Sequence, residues 1–392
     1  MLAAVPRPSP ARRRPLLTFG AACALSSLAL AGCAAHGAIE DPLAPTILVS
    51  VDACGQGWSA PTAGQQRFTL RNIDSRAGEV YLTDAVSGAV YADVDPLGAG
   101  ASTELDISLT AGRYAFRCAM EDEATVTGAA VTITGDAPHT TPAASVSQAD
   151  LIPATLAYQK YVASRLPILA ELTESLRRDL DAGDLARAQI DWVPAHVEYE
   201  RLGAAYGAFG DLDDRINGLP SGLAQGTADP GWTGFHRVEY GLWHDEGAAS
   251  LAAAGDALAA AVDELSTSFA TAQIDPLQIS IRAHEITENA LQFELTRATD
   301  FGSHSNLATV AANLEGTATV LDILEPLLTP RDPDLPATRA LLRTTQADVA
   351  AAGSDLDAAP TPTRERLDAD LSQLAEDLAP VASLLEPRRV TQ

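Results

Sequence analysis

The chain has 392 residues, enough for two or three ordinary domains, and 46% of them are hydrophobic, a globular composition. A formal net charge of −26 works against nucleic acid and anionic headgroups as direct partners and favours cations, although the same acidity also serves solubility. Aromatics make up only 5% and alanine is abundant, which suits closely packed helices, and Lys160 is the only lysine.

Residues 1–32 read as an export signal. Arg12-Arg13-Arg14 precedes an apolar run from about Leu16 to Ala31 that is too short and too alanine-rich to be a good spanning helix. The run ends in Leu30-Ala31-Gly32-Cys33, which resembles the lipobox of bacterial lipoproteins. That resemblance implies lipidation of Cys33 as the mature N-terminus; the alternative is an ordinary signal peptide with a coincidental cysteine. Two acyl chains on one residue suffice for stable anchoring. The signal carries four arginines and no acid, so the remainder has a net charge of −30.

Residues 33–45, with Pro42 and Pro45, read as a tether. From Thr46 the pattern turns β-like. Segments 47–51, 67–71, 79–82, 103–109, 113–117 and 125–133 are short strand candidates separated by glycine-bearing turns, and together they predict a β-sandwich over residues 46–135. Once Cys23 leaves with the signal and Cys33 is lipidated, Cys54 and Cys118 remain. An even pair outside the cytoplasm suggests a disulfide. Residues 46–135 hold no histidine, which excludes a blue-copper site. A second reading stays open, in which Cys54, Cys118, Met120 and an acid such as Glu79 form an unusual copper or iron site.

Residues 136–148 are rich in Pro, Thr, Ser and Ala and read as a linker. Over residues 149–390 apolar residues recur at three- and four-residue spacing, in stretches such as 156–180, 185–209, 257–270, 276–297, 306–328, 337–351 and 364–385. These predict an antiparallel helix bundle. Within it His236 and Glu239 are three apart, so on a helix they share a face and can chelate a metal; a surface ion pair gives the same spacing. Glu200 sits on an amphipathic stretch, with His196 one turn before it. Asp213 follows in an Asp211-Leu212-Asp213 run that also reads as a helix stop and cap. Glu285 and Glu288 share a face in His284-Glu285-Ile286-Thr287-Glu288, and His304 reads equally as a cap or a ligand. Carboxylates with imidazole suit iron, with manganese, zinc or copper as alternatives.

The set Gly234-Phe235-His236-Arg237-Val238-Glu239, Tyr199-Glu200-Arg201, Phe209-Gly210-Asp211-Leu212-Asp213 and Asn313-Leu314-Glu315-Gly316 resembles the imelysin-like (peptidase M75-like) family, and within it the EfeO-type components of EfeUOB iron uptake systems. The resemblance covers about residues 150–388. It implies a fold of two classes, multidomain β plus all-α, with a cupredoxin-like β-sandwich followed by an imelysin-like helix bundle. In that β-domain Cys54 and Cys118 correspond to the family's cysteines. The resemblance further implies iron (Fe2+ or Fe3+) as cargo, held by Glu200, Asp213, His236 and Glu239, with Glu285 or Glu288 as further ligands, and copper as an additional metal for the β-domain. The implied partners are an EfeU-like iron permease and an EfeB-like haem peroxidase, at a membrane reached through the lipid anchor. The sequence departs from the family where Glu198 stands in place of a histidine and Asn306 in place of an aspartate. The expectation is an extracytoplasmic carrier and not an enzyme: no H-E-x-x-H is present and no Ser-His-Asp set can be picked out. The alternatives are a metal-dependent peptidase and a lipoprotein that binds polysaccharide through metal ions.

Overall fold

The structure is a computed structural model that describes residues 44–387 apart from 60, 143 and 145. The export signal, Cys33 and most of the tether lie outside the described residues.

The first part is built from β1 (Thr46–Val49), β2 (Gly64–Asn72), β3 (Gly78–Asp84), β4 (Val90–Leu97), β5 (Ser102–Leu109), β6 (Gly112–Met120), β7 (Val126–Thr127) and β8 (Val131–Ile133). One sheet has the order β1-β2-β5, with β1 parallel to β2 and β5 antiparallel to it. The other has the order β4-β3-β6-β7, with β8 also paired to β6. The alternation read in 67–71 puts Phe68 and Leu70 inward, where they share a core with Ile47, Val80, Leu82 and Phe116. Trp58 lies edge-on to both Phe68 and Phe116. Strand β4 had no counterpart among the sequence candidates. Its Val90-Tyr91-Ala92-Asp93-Val94-Asp95-Pro96-Leu97 stretch is mostly half-exposed, so it lacks the two-residue alternation that marks a strand with one buried face.

Cys54 and Cys118 form a disulfide closing 64 residues of sequence separation. This corrects the metal reading of the β-domain, because the bridge uses both sulfurs. Strand register removes Glu79 as well. Val80 and Cys118 are paired and point into the core, whereas Glu79 pairs with Ala119 on the opposite face of the sheet. Met120 is fully buried against Gly78 and serves as packing. Copper therefore has no thiolate to bind in this part of the chain.

The second part comprises α1 (Gln148–Asp181), α2 (Leu185–Glu200), α3 (Tyr206–Phe209), α4 (Asp211–Asn217), α5 (Phe235–Trp243), α6 (Ala248–Ser268), α7 (Pro276–Asn289), α8 (Asn306–Leu328), α9 (Leu335–Ala352) and α10 (Thr361–Leu384). Ser147 and Asp150 form a reciprocal capping box that starts α1 where the linker ends. Val146 of the linker is buried in the helical core, and Arg331 Nε donates to the Ala144 carbonyl at 2.8 Å. Two periodic stretches are shorter than their apolar patterns suggest. The 185–209 stretch stops at Glu200 and turns through Gly203–Ala205, and α7 passes into a π-helical turn, Ala290–Glu294. Helix α8 is long and apolar enough to cross a membrane, but it is a core helix, with most of its apolar window buried among the others. At Gly316 it comes so close to α2 that a Cβ would lie 2.9 Å from the Arg201 carbonyl oxygen. That approach brings the amide of Asn313, one turn earlier, to the end of α2.

Candidate metal-binding cavity

Helix α5 carries the His-x-x-Glu pair. It starts at Gly234, whose φ of +96° and position against α4 leave no room for a side chain; a Cβ would be 2.4 Å from the Ile216 carbonyl oxygen. Trp192 Nε1 donates to the Phe235 carbonyl at 2.9 Å and fixes the first turn against α2. His236 and Glu239 then share the inward face, with His236 Nδ1 at 3.3 Å from Glu239 Oε2. The other oxygen, Glu239 Oε1, accepts from the Phe301 amide at 3.0 Å, the Ser303 amide at 3.1 Å and the Ser303 hydroxyl at 2.5 Å. Burial alone would raise this carboxyl, but the hydrogen bond and field of His236 and the Ser303 hydroxyl win and hold it below the usual range. With Nδ1 turned to a carboxylate, His236 keeps Nε2 for the cavity its ring lines.

Glu200 ends α2 on the facing wall. Its Oε1 lies 3.2 Å from His196 Nε2 and accepts from Asn217 Nδ2 at 2.8 Å, while Oε2 accepts from Asn313 Nδ2 at 2.9 Å. Desolvation pushes its carboxyl up, but His196, Asn313 and the nearby His236 outweigh it and lower the pKa to about 2. Glu200 is therefore a buried carboxylate that is ionised at neutral pH. The His196 ring stacks on Trp192 at 4.6 Å and meets the His236 ring edge-on at 5.2 Å.

A third carboxylate comes from the π-helical turn. Glu294 accepts from Thr299 Oγ1 at 2.6 Å and from Asn306 Nδ2 at 2.8 Å. Burial, reinforced by the charge of Glu200, pushes its pKa up to about 7. Glu200, His236, Glu294, Asn217 and Asn313 thus line one cavity of about 140 Å³, with Arg282 on its α7 side. Two carboxylates and an imidazole nitrogen are a donor set for a hard to borderline cation, while the Asn217 and Asn313 amides are turned to Glu200.

The structure places the sequence candidates unequally. It brings Glu200 and His236 to the cavity and sets Glu239 behind His236. Asp213 lies in the first turn of α4, where it accepts a hydrogen bond from the Tyr199 hydroxyl, and burial raises its pKa to about 6. It is near Glu200 but does not line the cavity. Glu285 and Glu288 are not brought in. The face of α7 turned to the cavity carries Arg282, Ile286 and Asn289. Glu285 pairs with Arg282 at 3.2 Å, and Glu288 accepts from Gln292 at 2.9 Å. His304 sits on the surface with Asp355 and Asp357, where their ligand atoms fall within 4.8 Å of one another. Arg297 also pairs with Asp357 there. Sequence reasoning missed Glu294, which belongs to no motif and reaches the cavity only through the π-helical turn. His196, one turn before Glu200, is buried against it.

Residues 154–381 match the model of the imelysin family, peptidase M75. The chain belongs to that family. Within it the chain is EfeO-like, being 26% identical over 277 residues to the "iron uptake system component EfeO" of Escherichia coli K12, of Escherichia coli O157:H7 and of Shigella flexneri, an alignment that spans 70% of this chain and 71% of theirs. Among solved structures it is similar to an imelysin-like protein from Psychrobacter arcticum 273-4, at 15% identity and a TM-score of 0.47, covering 60% of this chain and 96% of that one.

Proposed function

We propose that the chain is the iron-binding component of an EfeUOB-type uptake system, and that it captures iron in the cavity walled by Glu200, His236 and Glu294. The observation that carries this reading is the cavity itself. Buried carboxylates and an imidazole converge there, and each is held from behind: Glu200 by His196, Asn217 and Asn313, and His236 by Glu239. Such prior ordering lowers the cost of fixing ligands around an ion. The EfeO relatives supply the choice of iron. On this reading Glu239 orients His236, and His236 Nε2, Glu200 and Glu294 are the cavity's donors.

The rest of the proposal follows from the sequence. Cys33 carries the lipid, the tether gives reach, and the protein works outside the cytoplasm beside an iron permease, with a haem peroxidase as the third component. The two-sheet part, read as cupredoxin-like, is a disulfide-closed module of this carrier. The chain acts as a carrier and not as an enzyme, taking up iron at neutral pH while Glu200 is ionised and giving it up on acidification, on reduction or on contact with the permease. Calorimetric titration of iron into the wild type and into His236→Ala and Glu200→Ala variants tests the site. Affinity lost in both supports it, and affinity unchanged in both overturns it.

A further inference from the structure

Arg282 is out of place in a cavity built only for a cation. It stands on the cavity's α7 wall, one turn before Ile286 and two before Asn289. A fixed positive charge beside a bound metal ion repels it, and more strongly where water is scarce. Among the described residues Arg282 makes no ion pair with Glu200 or Glu294, and the field it exerts on Asp213 falls just outside the cavity. Its ion pair is to Glu285, through Nη1 at 3.2 Å, and Glu285 does not line the cavity. Its Nε is buried and has no hydrogen-bond partner among the described residues, an unsatisfied donor that a bound acceptor would relieve.

Space and coordination point the same way. A cavity of about 140 Å³ holds more than a lone ion, since one water occupies about 30 Å³ of liquid. The donors that face it, His236, Glu200 and Glu294, do not fill the coordination sphere of a six-coordinate ion. The open positions and the unsatisfied guanidinium share one space. Arginine's planar fork of N–H groups matches the oxygens of carbonate or phosphate.

We propose that the cavity takes its cation together with a small oxyanion of carbonate or phosphate type, which Arg282 holds and which completes the cation's coordination. The proposal rests on the metal reading of the cavity and names a second ligand for it. The anion turns Arg282 from a repulsive neighbour into part of the binding site. It also makes cation and anion uptake mutually dependent, because each removes the other's electrostatic cost.

The test is anaerobic calorimetry of Fe(II) into the full protein, in chloride buffer freed of carbonate, then with bicarbonate, then with phosphate. Wild-type affinity rises by about tenfold with one of the two oxyanions, and the arm that shows the gain identifies the anion. Arg282→Gln loses that gain, while its affinity in the chloride buffer is equal to or above the wild type's, because the repulsion is gone. Glu285→Gln, outside the cavity, keeps the gain. Arg282→Lys, which keeps the charge and not the fork, shows a reduced gain and serves as the readout should the glutamine variant fail to fold. Equal wild-type affinity in all three buffers, or a gain retained in Arg282→Gln, overturns the oxyanion. Absence of iron binding in every buffer overturns the metal reading itself.

Discussion

The two halves of the molecule bury polar groups to opposite ends. Among the described residues of the two-sheet part the buried polar side chains are Ser50, Asn72 and Thr83, and the two sulfurs are closed into a bridge. In the helical part His196, Glu198, Glu200, His236, Glu239 and Glu294 are all buried. Ionisable groups are costly to bury, and folds tolerate them where they are paired or where they bind something. Except for Glu198, which pairs with Arg165 and Arg201 on another side of α2, these helical groups lie around or directly behind one cavity. The contrast makes the first part a sealed module and the second a prepared site.

The largest expected effect tests the sealed half. Replacing Cys54 and Cys118 with serine opens a loop of 64 residues and should cost about 4 kcal/mol of stability in the two-sheet part. Differential scanning calorimetry would record that loss, and iron affinity should stay at the wild-type value. A fall in affinity would break the division of labour. Next comes His236→Ala, which should weaken iron binding by about 100-fold by calorimetric titration, since it removes the imidazole donor.

Glu294 gives the pH dependence. Its folded pKa of about 7 lies above the value of about 4.3 for an unfolded glutamate, so the folded state binds this proton more tightly. Metal-free protein should therefore gain stability as pH falls from about 7 towards about 4. Glu294→Gln should raise metal-free stability at pH 8 by about 2 kcal/mol and weaken iron binding, both measurable on one thermal-shift plate with and without metal. Glu200 has the opposite sign. Its pKa of about 2 is below the unfolded value, so its contribution is present above about pH 4 and is lost as pH falls towards 2.

Smaller effects separate supporting groups from bystanders. Ser303→Ala removes one of the three hydrogen bonds to Glu239 Oε1, that of the hydroxyl, leaving the backbone donors of Phe301 and Ser303, and should lower iron affinity by about tenfold. His304→Ala should change it by less than about twofold, because His304 and Asp357 are exposed and Asp357 is shared with Arg297. A larger loss for His304 than for His236 would move the site to the surface.

Much of this was legible in the sequence. Composition, cysteine count and the change from two-residue to three- and four-residue periodicity separate the strand-rich part from the helical one near residue 148, where a capping box begins α1. Helical spacing alone puts His236 and Glu239 on one face, and they do meet. Spacing also put Glu285 and Glu288 together, and there it misled. It says which side chains share a face but not which way the face points. Strand β4 and the break after Glu200 were hidden for a similar reason, because neither leaves a pattern in its own segment.

What the sequence determined by itself is local: element type, helix faces, an even pair of cysteines and the family motifs. Tertiary structure decided which faces meet. It closed the cysteines into a bridge, turned Glu79 away from them, brought Asn313 and Asn217 onto Glu200, and used a π-helical turn to carry Glu294 into the cavity. Local periodicity follows from backbone geometry and needs only neighbours in sequence. A cavity is made by residues far apart in the chain, here from position 200 to position 313, and only packing fixes their distances.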